Sequence, residues 1–207
     1  MILTLAQTVV RAQSGDKAAF GELYSHYYKE MYRYALYSLG HEQDAQDVVA
    51  ETVASAYAQI THLRDADAFP MWLFRILSNQ IKRKKKSYIA QKKHLSLDEA
   101  EELASEEEMM SESKLDLYKA LDMIAKKDRD IVILSVVDGF TGYEIAEILK
   151  MNPATVRSRL SRSLKKLQQI LSVTSNDRNI KQKGEKHDKE THFTQLPYRK
   201  RYRVWNL

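Results

Sequence analysis

Apolar residues recur at three- and four-residue steps through most of the first 171 positions, and strand-like alternation is scarce, so the chain reads as a series of amphipathic helices. Residues 3–13 form a short one, closed by Ser14-Gly15, and Asp16 is placed to cap the next. Residues 17–39 carry Phe20, Leu23, Tyr24, Tyr27, Met31, Tyr34, Ala35 and Leu39 at helical spacing, and Gly40 ends the run. In residues 41–60, Val49, Val53 and Tyr57 give the inward side. Asp44, Asp47 and Glu51 share the other face, flanked by Val48, Thr52 and Ala56. After a polar loop at 61–67, a helix opens near Pro70 with Trp72, Leu73 and Ile76 inward and Arg75, Asn79, Lys82, Arg83 and Lys86 outward. Two further amphipathic stretches follow at 115–125 and 129–137.

The pattern then changes at residues 142–171, GYEIAEILKMNPATVRSRLSRSLKKLQQIL. Thr141 and Glu144 make a capping box for a short helix with Ile145, Ala146 and Leu149 inward. A break at 150–152 separates it from a second helix that Asn152 caps and Pro153 opens. Val156, Leu160, Leu164, Leu167 and Leu171 form its inward stripe; at about 100° per residue, Arg157, Ser158, Ser161, Arg162 and Lys165 fall on the other side. Two helices, a tight turn and an Arg/Ser/Lys face predict a helix-turn-helix reader of duplex DNA. No acid occurs from Lys150 to Lys166, whereas a merely solvated helix mixes signs to gain i,i+4 pairs. Lys150 stands at the turn position where glycine is favoured, and a positive φ there costs a non-glycine residue roughly 1 kcal/mol.

Ala, Leu, Glu, Lys and Gln dominate, with three prolines and six glycines in 207 residues, so the expected fold class is all-α. The expected organisation is a first helical domain at 1–93, a flexible acidic linker at 94–111, a helix-turn-helix domain at 112–172 and a disordered basic tail at 173–207. Net charge sharpens this. The formal +5 resides in residues 172–207, which hold nine Lys/Arg against four Asp/Glu, so the body is neutral overall but segregated. Residues 75–93 hold eight Lys/Arg and no acid, residues 98–112 hold eight acids and no base, and the reader helix is basic again. Such alternation suggests two nucleic-acid-facing modules and a segment that avoids or imitates nucleic acid.

Other chemistries are poorly served. Without cysteine there are no disulfides, thiolate metal sites or cysteine nucleophiles. The six histidines (26, 41, 62, 94, 187 and 192) lack ligand spacing, so no metal or other cofactor is expected. The carboxylates at 44, 47 and 51 have no histidine or further acid at matching spacing on their helix, which favours a surface for a basic partner over catalysis. The dense tyrosines of 24–37 suit helix packing with hydroxyls at the rim better than base stacking. No apolar run approaches the ~20 residues that cross a bilayer, and the N-terminus has no secretory pattern, so a cytoplasmic chain without membrane insertion is expected. A conventional helix-turn-helix regulator would use only the second domain, and a recombinase or nuclease would need a clustered acid, Ser or Tyr site.

Three stretches in order carry a family resemblance. DAQDVVAETVASAY (44–57), FPMWLFRILSNQIKRKKK (69–86) and GFTGYEIAEILKMNPATVRSRLSRSLKKL (139–167) resemble the core-polymerase-binding helix, the promoter-melting helix and the upstream-element reader of extracytoplasmic-function (ECF) sigma factors. The likeness covers about residues 15–171; Ala50 and Val53 stand where the family usually has Gln and Phe. It implies a non-enzymatic subunit that binds core RNA polymerase and promoter DNA, and that meets an anti-sigma factor, commonly membrane-anchored. By matching position it places Asp44, Asp47, Val48 and Glu51 against the polymerase. His62, Leu63, Arg64 and Asp65 would capture a flipped base of the non-template strand, and Arg75, Asn79, Lys82 and Arg83 would hold the melted strand. Upstream, Arg157 and Ser158 would reach base edges and Arg159 and Arg162 would grip phosphates, with Thr155, Ser161 and Lys165 completing that surface. The acidic linker would thread a cationic channel of the polymerase.

Overall fold

A computed structural model describes residues 3–94, 121 and 123–182. Among these residues every regular element is a helix. The first unit comprises α1 (Leu5–Gln13), α2 (Lys17–Leu39), α3 (Glu42–Gln59) and α4 (Phe69–His94), with two 3-10 turns, Ile60–His62 and Ala66–Ala68, between α3 and α4. The second comprises α5 (Lys126–Val136), α6 (Gly142–Leu149) and α7 (Pro153–Gln182). The acidic linker, most of the helix expected at 115–125 and the tail from 183 lie outside the described residues. Residues 173–182 of the expected tail continue α7.

Local chemistry sets the boundaries. Thr4 and Gln7 make a reciprocal capping box on α1. The Asp16 carboxylate accepts from the Ala18 and Ala19 N–H groups at the start of α2, which Gly40 ends in the left-handed region at φ 78°. Thr141 and Glu144 cap α6 as the sequence predicts.

The first unit packs Val9, Leu23, Tyr27, Met31, Tyr34, Val48, Val49, Phe69, Leu73 and Leu77 into its interior. The second packs Ile131, Ile133, Leu134, Ile145, Ile148, Val156 and Leu167. Each such side chain contributes roughly 1.5–3 kcal/mol on leaving water. The two interiors are continuous. Tyr34 stacks on Phe74 with ring centroids 6.2 Å apart, and Phe74 meets Phe140, from the α5–α6 loop, edge-on at 4.7 Å.

Three stripes differ from the sequence reading. On α3 the inward positions are Ala45, Val48, Val49, Thr52 and Ala56, while Tyr57 is 47% exposed and meets Phe20 edge-on. On α4 the deepest apolar positions are Phe69, Phe74, Leu77 and Ile81, because this helix is covered by α2 and α3 and also by the second unit. On α7, Ser163 is buried and Leu164 is 39% exposed: 156, 160, 163 and 167 follow the helical repeat more closely than a run of leucines does.

Candidate nucleic-acid interface

The reader is built from α6 and α7. Lys150 ends α6 at φ 54° and ψ 54°, the left-handed conformation that the turn requires, and the Met151 N–H donates to the Ala146 carbonyl oxygen at 2.9 Å. Asn152 Oδ1 then accepts from the Ala154 N–H at 2.9 Å and starts α7. Val156, fully buried, docks α7 on the unit's core. That docking leaves Arg157, Ser158, Ser161, Arg162 and Lys165 exposed on one side, with Thr155 half-buried at its edge. Arg162 Nε donates to the Ser158 carbonyl oxygen at 3.3 Å. Arg159 is different: its guanidinium lies 3.4 Å from the Asp128 carboxylate of α5, a tie between helices.

The second surface lies between the 60–68 loop and α4. Gln13 Nε2 donates to the Ile60 and Leu63 carbonyl oxygens at 3.0 and 2.6 Å, which pins the loop to α1. Asp65 accepts from the Asp67 N–H at 3.0 Å and shapes the second 3-10 turn. His62, Arg64 and Asp65 are exposed around this frame, and Leu63 turns inward. Leu63, Ala68, Met71, Trp72 and Arg75, together with Glu147 of α6, line a cavity of about 130 Å3. Arg75, Asn79 and Lys82 continue along one face of α4 from there. Arg83 lies beside it, and its Nη1 donates to Gln80 Oε1 at 2.8 Å.

The third surface is the outer face of α3. Asp47 and Glu51 are exposed on it. Asp44 is half-buried: Lys84 Nζ lies 2.5 Å from its carboxylate, and the Tyr88 hydroxyl donates to it. Burial alone would raise the Asp44 carboxyl, but the hydrogen bonds from Lys84 and Tyr88 and the Lys84 charge outweigh it and hold the group below its ordinary value. The same hydrogen bond with Asp44 raises Lys84. Burial, followed by the bond to Asp44, raises the Tyr88 phenol. Val48 does not belong to this surface. It is 2% exposed and packs in the core, because the helical repeat of α3 carries 45, 48, 49 and 52 inward.

The structure therefore places the whole upstream set on α7, with Arg159 tied to Asp128 instead of exposed, and the downstream set around one loop and α4. Sequence reasoning missed Gln13, Lys84, Tyr88 and Glu147. Only Lys84, inside a conspicuous basic run, carried a visible signal, and that signal pointed to DNA.

Comparison with known proteins agrees with this arrangement. Residues 23–91 match the model for Sigma-70 region 2, and residues 114–167 match Sigma-70, region 4. The chain is 27% identical over 173 residues to the ECF RNA polymerase sigma factor BldN of Streptomyces coelicolor, covering 81% of this chain and 66% of that protein. It is 25% identical over 184 residues to the ECF RNA polymerase sigma factor SigW of Bacillus subtilis, covering 83% and 98%. In fold it is similar to the sigma factor RpoE of Bartonella quintana, solved in complex with the anti-sigma factor NepR, at a TM-score of 0.62 and 24% identity over 74% of this chain and 97% of that one. With an exposed cationic face on α7, a pinned loop beside a basic helix and both region models matched in order, the chain belongs to the ECF group of RNA polymerase sigma factors, which direct promoter-specific transcription initiation.

Proposed function

We propose that the three surfaces divide the work of initiation. The outer face of α3 meets core polymerase through Asp47 and Glu51, with Asp44 braced by Lys84 and Tyr88. The 61–67 loop and the cavity under it take one base of the opened non-template strand, and Arg75, Asn79, Lys82 and Arg83 hold that strand's backbone. On α7, Arg157 and Ser158 read base edges of the upstream duplex, and Arg162 and Lys165 contact phosphates. Residues 1–93 and 112–172 are the two working domains, joined by the acidic segment. The chain is a binding subunit and not an enzyme, and it acts in the cytoplasm; no described helix is long and apolar enough to cross a membrane. An anti-sigma factor is its proposed inhibitor, on the likeness to a sigma factor solved with one.

The observation that carries this reading is the exposed cationic face of α7 behind a fully capped turn. Run-off transcription with purified core polymerase, followed by mapping of the start sites, tests it. The expected result is a shared sequence element upstream of the mapped start sites, short enough for one recognition helix to read in the major groove. Initiation without any shared upstream element would overturn the assignment of α7.

A further inference from the structure

The helix α1 precedes residues 23–91, the stretch matched to region 2, and belongs to none of the three surfaces. It is firmly built. Val9 and Ala12 are buried, Leu5 packs beside them, and the helix lies against α2 and both 3-10 turns. At its end Gly15, at φ 92°, turns the chain into Asp16. The Asp16 carboxylate holds both sides of this corner. Its Oδ1 accepts from the Ala18 and Ala19 N–H groups, and its Oδ2 accepts from Arg11 Nε and Nη2 at 3.0 and 2.5 Å. The corner fixes where Gln13, the last residue of α1, stands.

Gln13 faces a loop that cannot set its own path. Residues 60–68, ITHLRDADA, contain neither glycine nor proline. The second half of the loop is held locally, by the Asp65 carboxylate on the Asp67 N–H and by the Ala68 N–H on the Asp65 carbonyl oxygen at 3.2 Å. The first half is held from a distance. The Leu63 N–H donates to the Ile60 carbonyl oxygen at 3.1 Å, and Gln13 Nε2 donates to the carbonyl oxygens of both those residues. A primary amide has two N–H donors, so one side chain serves both ends of the turn. That bridge fixes the direction in which the chain leaves the turn. Leu63 then lines the cavity while His62 and Arg64 stay at the surface.

We propose that Gln13 is a positioning residue of the base-capture site: its amide sets the loop that walls the cavity, and α1 thereby takes part in selecting the downstream base. This rests on the base-capture reading above. Two carbonyl oxygens demand a donor. Glutamate at this position has nearly the same shape but, ionised, presents only acceptors to them. A loop released from Gln13 loses discrimination more than affinity. The strand's phosphates keep their contacts on α4, and phosphate contacts position while base contacts specify.

The test uses the full chain, and the holoenzyme it forms with purified core polymerase, with Gln13→Glu and Gln13→Ala beside the parent. In the free chain, hydrogen exchange of the Leu63 amide should be at least about fivefold faster in both variants, with the amides of α2 unchanged. In the holoenzyme, the fluorescent base aminopurine, placed at one position at a time through the melted segment, brightens where a base leaves the stack. Run-off transcription with each of the four bases at that position then gives the preference. The ratio of best to worst base should fall at least about fivefold in Gln13→Glu and less in Gln13→Ala, with polymerase binding and upstream duplex binding unchanged. Gln13→Ala keeps the test valid should the carboxylate disturb folding. Unchanged exchange at Leu63, or faster exchange with an unchanged base preference, overturns the positioning role. If no position brightens in the parent, the base-capture reading falls and the positioning role with it, while exchange at Leu63 still shows whether α1 braces the loop.

Discussion

On α7, Arg157, Ser158, Ser161, Arg162 and Lys165 stand exposed on one side, with Arg162 bonded back to its own helix. On α4, Lys82 reaches the end of α6, Lys84 pairs with Asp44, Lys85 pairs with Asp130, and Arg75 lines a cavity with Glu147. In sequence the two stretches look alike, as runs of Arg and Lys without acids. In the fold one is presented to a partner, and several residues of the other are tied to neighbouring helices. An upstream duplex can be met by a preformed face, because B-form DNA exists before binding. A melted strand exists only after opening has begun, so the residues that meet it can also serve the fold.

The sharpest way to break this comparison is through the centre that joins the two units. Phe74 is 1% exposed between Tyr34 and Phe140. Phe74→Ala should cost about 3–5 kcal/mol by urea denaturation, the range for an aromatic removed from a packed core. Phe140→Ala should destabilise the same unfolding transition, and the double variant should show coupling of about 0.5–1.5 kcal/mol. Two separate transitions, with Phe140→Ala moving only one of them, would show that the units are independent and that α4 is not held by its neighbour.

A substitution on the free helix should behave oppositely. Arg157→Ala should lower transcription from the cognate promoter by about fivefold or more, from a loss of ~1–3 kcal/mol in base discrimination, with folding stability and polymerase binding unchanged. An equal loss of polymerase binding would remove Arg157 from base reading. Arg159→Ala sharpens the contrast within one helix. It should destabilise the fold, by up to about 1 kcal/mol, because its guanidinium ties α7 to Asp128 and is partly screened by solvent.

These differences show what the sequence could carry. Helix starts and stops were legible because caps are local: Asp16, Gly40, Thr141 with Glu144, and Asn152 act within a few residues of themselves. So was the reader face of α7, because one helix with one packed side sorts its residues by the 3.6-residue period. The inward face of α4 was not, since three neighbours cover it and the period alone assigns one buried side. The fates of Lys84, Lys85 and Arg159 depend on Asp44, Asp130 and Asp128, which are 31 to 45 residues distant, and no local rule pairs them. Gln13 gave no signal at all, because its amide serves carbonyl groups of a loop nearly fifty residues away.

A smaller effect isolates the turn between the two reader helices. Lys150 holds φ 54° without the freedom of glycine. Lys150→Gly should stabilise the second unit by about 0.5–1 kcal/mol, the strain it relieves exceeding the entropy that glycine adds to the unfolded chain. Thermal unfolding measures it. A loss of stability would mean that the lysine side chain makes a favourable contact which outweighs its backbone strain.

The smallest expected effect tests whether a basic residue of α4 serves the fold, and its dependence on pH identifies how. Asp44 has its carboxyl lowered in the folded chain, so its contribution is present above the unfolded value of about 3.9 and is lost as pH falls through the folded value. Lys84 is raised, so its contribution is present below the unfolded value of about 10.4 and is lost as pH rises through the folded one. The pair therefore stabilises across a window of roughly pH 4 to 10. Both groups are partly exposed and screened, which limits Lys84→Ala to about 0.5 kcal/mol at pH 7. That penalty should shrink as pH falls below about 4 and through the folded value of Asp44, and in 1 M salt, where the screening length falls to about 3 Å. A penalty unchanged by acid and salt would mean that Lys84 acts through the packing of its stem. No penalty at all, together with weaker binding of the melted strand, would return Lys84 to the DNA and make α4 as free a helix as α7.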